Sequence, residues 1–110
     1  MSGQPTPQAP PAYDGLLDAA VRVPDHVVHR AFVNETVVLN LQTGRYHGLN
    51  PVGGRMLEAL ERERTVRDAV RRLADEFGEV SADDIERDVR AFCDDLVRRG
   101  LIELDSNDDG

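Results

Sequence analysis

The 110-residue chain has one cysteine, no lysine and no long apolar run, and each of these features excludes a class of function. The single Cys93 excludes an internal disulfide and a cysteine-cluster metal site. Without lysine there is neither Schiff-base catalysis nor a phosphate-loop lysine. No segment approaches the ~20 apolar residues of a membrane helix, and the N-terminus lacks the basic and apolar regions of a secretory signal. We therefore expect a cytoplasmic protein that does not contact a membrane.

The charge balance argues against nucleic acid as a partner. The chain carries 21 acidic residues against 13 arginines, a formal net charge of −8 at pH 7. Phosphate repels such a chain at long range. With 40% hydrophobic and 31% charged residues, the composition is that of a small globular domain.

Composition divides the chain into three parts. Residues 1–18 hold four of the six prolines and are predicted to be a disordered N-terminal segment. Residues 105–110 have the sequence DSNDDG, which predicts a disordered acidic tail. The folded domain is therefore expected over residues 19–104.

The first part of the domain has the pattern of β-strands. Residues 26–33 and 36–41 are rich in β-branched and aromatic residues, and Asn34-Glu35 between them predicts a turn. Thr43-Gly44 predicts a second turn before a short third strand over 45–49. Two successive hairpins predict a three-stranded antiparallel meander.

Three helices follow, each with a capping residue and an apolar face. Asn50 before Pro51 predicts the start of the first helix, Thr65 that of the second helix and Ser81 that of the third helix. Gly78 and Gly100 are expected to end the second and third helices. The predicted apolar faces consist of Val52, Met56, Leu57 and Leu60; Val66, Ala69, Val70, Leu73, Ala74 and Phe77; and Ile85, Val89, Phe92, Cys93, Leu96 and Val97.

Three strands followed by three helices predict an α+β domain. The last two helices have the spacing of a helix-turn-helix, with the sheet as a wing, so the fold expected is a winged helix-turn-helix. A DNA-binding regulator is the alternative function that this fold allows. The third helix, however, carries more acidic than basic residues, which is unfavourable for a helix that must approach phosphate.

Catalytic and metal-binding residues are not expected. His26 and His29 lie three apart in a strand, on opposite faces, and neither they nor His47 have a cysteine nearby. Cys93 has the helical spacing of a small buried hydrophobe, and no general base accompanies it. We therefore predict no catalytic residue, no metal and no cofactor.

The glycines do not form a phosphate-binding loop. Gly48, Gly53 and Gly54 are irregularly spaced and no lysine follows them. The last two lie inside the first helix, where glycine costs roughly 1 kcal/mol relative to alanine. They indicate either a close approach of this helix to the sheet or a frayed first turn.

The third strand is the feature that points to a binding function. It forms an edge of the meander, so its outer N–H and C=O groups are free to pair with an extended peptide. The alternatives are that this edge dimerises, or that the chain's own residues 16–17 or 20–23 cover it.

Residues 37–60 resemble the PqqD-like family. The resemblance rests on the apolar strand 37–41, the Thr43-Gly44 turn, Tyr46, and Leu49-Asn50 before the first helix; the later helices match mainly in pattern, over about residues 26–104. It implies a non-enzymatic peptide chaperone that binds the leader of a ribosomally synthesised precursor between the third strand and third helix. The peptide-binding residues it implies on the strand are Arg45, Tyr46, His47, Gly48 and Leu49. On the third helix we expect the peptide to contact residues on or beside the apolar face, namely Ile85, Asp88, Val89 and Phe92.

The implied partners are the leader peptide and a modifying enzyme, such as a leader peptidase or a radical SAM enzyme. Lasso-type maturation and radical chemistry on the core peptide both remain open. A further possibility is that the chain is a subunit of a larger enzyme.

Overall fold

The structure, a computed structural model, describes residues 15–105. Its elements are three helices and five strands. In chain order they are β1 (Ala20–Arg22), β2 (Val27–Ala31), β3 (Thr36–Asn40), β4 (Arg45–Leu49), α1 (Pro51–Arg62), α2 (Val66–Glu76), α3 (Ala82–Arg98) and β5 (Glu103–Asp105). The α+β winged helix-turn-helix expected from the sequence is confirmed.

Strands β2, β3 and β4 form an antiparallel sheet in sequential order. The meander is therefore as predicted, and β4 occupies 45–49 as expected. The first two strands are shorter than their apolar patterns because the turn between them is longer. It begins at Phe32, whose N–H donates to the carbonyl of Glu35 at 2.7 Å.

One face of this sheet packs on the helices. Alternate residues of β3, namely Thr36, Val38 and Asn40, are buried, and the residues between them are half-buried. In the β3–β4 register, Val38 is opposite His47 and Thr36 is opposite Leu49. These two β4 side chains therefore face the helices.

All three predicted helix starts are confirmed by their caps. The Asn50 side chain accepts a hydrogen bond from the Gly53 N–H at 2.7 Å. The side chains of Thr65 and Ser81 likewise accept from the backbone N–H of the third residue of their helices. Gly100 adopts a φ of 73° after α3, as predicted for a helix-terminating glycine. Helix α2 ends at Glu76, two residues before the predicted glycine.

A second, two-stranded sheet was not predicted. Strand β1 pairs antiparallel with β5, with Val21 opposite Leu104. Residues 101–104, with the sequence LIEL, are a short apolar segment that contains no sign of its distant partner. Residues 20–22 are therefore paired with the chain's other end and do not cover β4.

The described part of the chain includes four residues of the predicted N-terminal segment. Leu16 is buried, and the carbonyl of Leu17 accepts from the Arg67 N–H at 2.9 Å, which attaches this segment to the start of α2. Asp105, assigned to the tail, is the last residue of β5. Residues 1–14 and 106–110 of the two predicted disordered segments lie outside the described residues.

The core lies between the helices and the inner sheet face. Most of its completely buried members come from the predicted apolar faces, namely Leu57, Leu60, Val66, Ala69, Leu73, Val89, Cys93 and Leu96. Two predicted core residues are exposed, Val52 by 48% and Val97 by 41%, and four others are only partly buried, namely Met56, Ala74, Phe77 and Phe92. Val52 lies in the first turn of α1.

Gly54 marks a close approach of α1 to the sheet. A Cβ placed there would lie 2.5 Å from Thr36 Oγ1 and 3.3 Å from Thr36 Cβ. Of the two explanations that the sequence left open, close packing is therefore the correct one for this glycine.

We expect Gly54→Ala to destabilise the domain by up to about 2 kcal/mol, because overpacking costs about 1–3 kcal/mol and helix propensity returns only about 1 kcal/mol. Urea denaturation measures the change. Gly78→Ala is the matched control, since its new Cβ would meet only one atom, at 4.0 Å. Equal stabilities for the two variants would contradict the close-approach explanation.

Candidate functional site

The outer edge of β4 exposes backbone hydrogen-bonding groups. Phe32 bonds to Glu35 across the β2–β3 hairpin, so the odd-numbered residues of β3 pair with β2 and the even-numbered ones with β4. The partners of the even-numbered residues are Arg45, His47 and Leu49. Tyr46 and Gly48 consequently direct their N–H and C=O groups away from the sheet. Within residues 15–105, no strand pairs with this edge.

A groove of about 470 Å³ runs between this edge and α3. Gly48 and Leu49 form its strand side, and the first turn of α1 forms its floor. On α3 the lining residues share one face, because they recur at a spacing of three or four. The groove is lined by Gly48, Leu49, Asn50, Val52, Gly53, Met56, Asp88, Ala91, Phe92 and Asp95.

An apolar pocket of about 160 Å³ continues the groove beyond α1. It lies where the end of α2 meets the start of α3, and its walls are Val52, Met56, Leu73, Phe77, Val80, Ile85 and Asp88. Val52, Met56 and Asp88 belong to both the pocket and the groove, so the two form one continuous depression.

A bidentate ion pair connects the two helices beside this pocket. Arg55 Nε donates to Glu76 Oε2 at 2.7 Å, and the Arg55 Nη2 contacts the other carboxylate oxygen. The hydrogen bond from Arg55 lowers the pKa of Glu76 below its ordinary value. The pair joins α1 to the end of α2, next to Met56 and Phe77.

Side chains bridge the opposite end of the groove. Arg99 Nη1 lies 3.2 Å from His47 Nδ1, and Arg99 Nε lies 3.0 Å from Asp95 Oδ1. These contacts join α3 to β4 across a second depression lined also by Tyr46 and Leu96. The groove is therefore open beside Gly48 and spanned by side chains at His47.

The structure brings together most of the predicted peptide-binding residues. Gly48, Leu49, Asp88 and Phe92 line the groove, and Ile85 lines the pocket. Tyr46 and His47 line the bridged end, although the Tyr46 ring is directed away from the helices and the residue is 72% exposed.

Two predicted residues are placed elsewhere. Val89 has no exposed surface, because it is on the core side of α3 and lines none of these depressions. In the peptide-free structure the Val89 side chain therefore belongs to the core. Arg45 is exposed at the far end of β4 and does not line the groove.

Several groove residues were not predicted from the sequence. On α3 the signal was available, because Ala91 and Asp95 follow Asp88 at helical spacing. For Val52 and Met56, the pattern placed both on the core face of α1. Arg99 could be found only from the tertiary structure, since its partner His47 is distant in the chain.

Cys93 and His29 lie in different environments. Cys93 is buried among apolar side chains of α3, and loss of solvation raises its pKa to about 12. His29 Nε2 lies 2.9 Å from Glu61 Oε1. Over residues 15–105, no three histidine, cysteine or acidic side chains lie close enough to hold a metal ion, and no helix is long and apolar enough to cross a membrane.

We expect Cys93 to be inert towards thiol reagents in the folded protein. The buried thiol stays protonated at pH 8, whereas the thiolate is the reactive species. Labelling with a disulfide-exchange reagent should be complete in 6 M guanidinium chloride and slower by orders of magnitude without it. Rapid labelling of the native protein would show that α3 separates from the core.

Comparisons with known proteins identify the fold family. Residues 35–102 match the family model described as coenzyme PQQ synthesis protein D (PqqD). The solved structure "TbiB1 in Complex with the TbiA(beta) Leader Peptide" is 35% identical, with a TM-score of 0.69, over 74% of this chain and 94% of that one. "Lasso peptide synthetase B1 complexed with the leader peptide" is 25% identical, with a TM-score of 0.70, over 77% of this chain and 99% of that one. No curated protein matches the chain.

The matched region contains the whole of β3 and β4, the three helices and the groove between β4 and α3. It spans more than half of the sequence, and the structural matches extend over nearly the full length of both solved proteins. The chain belongs to the PqqD family.

Proposed function

We propose that this protein binds the leader region of a ribosomally synthesised precursor peptide and presents it to a modifying enzyme. The observation that carries the proposal is the pair of outward-directed backbone units at Tyr46 and Gly48, next to a groove formed with α3. A peptide added there becomes the fourth strand of the sheet. Both similar solved structures are complexes with leader peptides, which supports this mode.

The backbone and the side chains of the groove have different roles in this mechanism. Main-chain hydrogen bonds to Tyr46 and Gly48 each contribute about 0.5–1.5 kcal/mol and do not depend on the peptide sequence. An apolar side chain buried in the pocket beside Ile85 contributes about 1.5–3 kcal/mol and selects the sequence. Ordering a disordered leader offsets part of this gain. The groove is preformed, which limits the cost on the protein's side.

The protein acts in this proposal as an adaptor without catalytic groups of its own. The chemistry belongs to a partner, such as a leader peptidase or a radical SAM enzyme, which receives the core peptide while the leader stays on β4. Because ribosomal precursors are made in the cytoplasm, we place the function there. A DNA-binding regulator is less compatible with the structure, since α3 has acidic residues in its first turn and along its groove face.

Selection of peptides by the intact chain tests the proposal. The full-length protein is immobilised and used to enrich a phage-displayed library of random 12-residue peptides, with the TbiA(beta) leader peptide as an additional probe. We expect saturable binding of enriched peptides, with amide chemical-shift changes concentrated in β4 and the groove face of α3. If no peptide is enriched, or if the changes map to another face, the proposed function is wrong.

A further inference from the structure

Ion pairs neutralise most acidic side chains of α3. Each of four carboxylates contacts an arginine three or four residues further along the same helix. The pairs are Asp84 with Arg87 at 3.0 Å, Glu86 with Arg90 at 3.0 Å, Asp94 with Arg98 at 2.8 Å, and Asp95 with Arg99 at 3.0 Å.

Asp88 departs from this pattern. Among residues 15–105 it has no ion-pair or hydrogen-bond partner. Asp83 also lacks an ion pair, but it lies in the first turn of α3, where the helix dipole stabilises a negative charge. Asp88 lies in the second turn, beyond that stabilisation.

The position of Asp88 is central to the site. Its side chain lines both the groove and the apolar pocket, so it lies where the two meet. Its neighbours in these linings are mainly apolar, with Val52 and Met56 on α1 and Ile85 and Phe92 on its own helix. The groove's only other acidic residue, Asp95, is already paired with Arg99.

We propose that Asp88 makes this groove selective for a peptide strand that carries an arginine or lysine next to its apolar anchor. The inference rests on the proposed function and adds to it the chemical class of the sequence that is recognised. A peptide that covers Asp88 removes water from its carboxylate, and an unpaired charge in an apolar contact is unfavourable. A basic side chain restores the lost interaction, whereas an acidic one at the same place is repelled.

The geometry also sets the spacing of the two peptide residues. Ile85, at the pocket, precedes Asp88 by three residues, which is a rise of about 4.5 Å along α3 at about 1.5 Å per residue. Side chains on one face of a strand repeat every two residues, at about 6.6 Å. The basic residue is therefore expected two positions from the apolar residue that occupies the pocket.

The test compares the sequences that three forms of the full-length protein enrich from the random 12-residue library at 150 mM salt. The forms are wild type, Asp88→Lys and Asp94→Lys. The last is the matched control, because it changes the net charge equally on the same helix but does not line the groove. We expect wild type and Asp94→Lys to enrich arginine or lysine two positions from an apolar residue, and Asp88→Lys to enrich glutamate or aspartate there.

Titration calorimetry gives the size of the effect. Changing the basic residue of an enriched peptide to glutamate should weaken its binding to wild type by about tenfold, and the preference should be inverted for Asp88→Lys. Enriched peptides that bind in the groove without a basic residue at fixed spacing would overturn the role of Asp88 and leave the proposed function intact. An equal loss of basic preference in both variants would show non-specific attraction to the acidic protein and overturn it too. Failure to enrich any peptide would instead refute the proposed function.

Discussion

Replacing Gly48 with proline is expected to weaken peptide binding by about 5- to 150-fold while the domain stays folded. The Gly48 N–H is directed away from β3, so its loss removes no hydrogen bond within the sheet. The complex does lose a hydrogen bond, because the peptide carbonyl that would accept from the Gly48 N–H is left without a partner. Such a loss costs about 1–3 kcal/mol, which corresponds to the stated change in affinity. Titration calorimetry with the best peptide enriched by the wild-type protein measures it.

Gly48→Ala is the matched control for this substitution. It keeps the N–H, and its Cβ would meet only the end of the Glu35 side chain, at 3.1 Å. We expect the alanine variant to bind within about threefold of wild type, since that side chain can move aside. Circular dichroism and urea denaturation establish that both variants are folded. Equal affinities of the proline and alanine variants would show that the peptide does not pair with β4.

Replacing Leu73 with alanine is expected to have the largest effect on stability. Leu73 is completely buried on α2 and also forms the inner wall of the apolar pocket. Removing a buried leucine side chain costs about 2–5 kcal/mol. A domain this small has a total stability of about 5–15 kcal/mol, so the variant should unfold at a much lower urea concentration.

The control for Leu73→Ala is Arg71→Ala on the same helix. The Arg71 side chain is 75% exposed and its contact with Asp68 is 4.0 Å long, so its removal should cost less than about 0.5 kcal/mol. Denaturation curves of both variants, with the slope of the transition compared, test the assignment. A cost below about 1 kcal/mol for Leu73→Ala would mean that the pocket region is loosely packed and does not form a preformed wall.

The sheet and helices could be predicted from the sequence because their signals are local. The caps at Asn50, Thr65 and Ser81 act within three residues of themselves, and the spacing of apolar residues in α2 and α3 matches the helical period. Strand β4 was predicted with its correct bounds because the Thr43-Gly44 turn and the Asn50 cap enclose it. The family resemblance rested on the same local features.

Interactions between residues that are distant in the chain could not be predicted from these local signals. The pairing of β1 with β5 joins the two ends of the described chain, and neither segment contains a sign of the other. Helical periodicity placed Val89 on the same side of α3 as Phe92, yet only packing against the other helices decided that the first is in the core and the second lines the groove.

Local pattern therefore determined the three-stranded sheet, the three helices and their order, since hydrogen bonding and apolar periodicity operate over a few neighbouring residues. Tertiary packing alone decided the shape and charge of the binding groove. It placed Val52 and Met56 beside Asp88, and it brought Arg99 to His47. A groove exists only where two surfaces meet, so its walls come from segments whose positions are set by the packing of the whole domain.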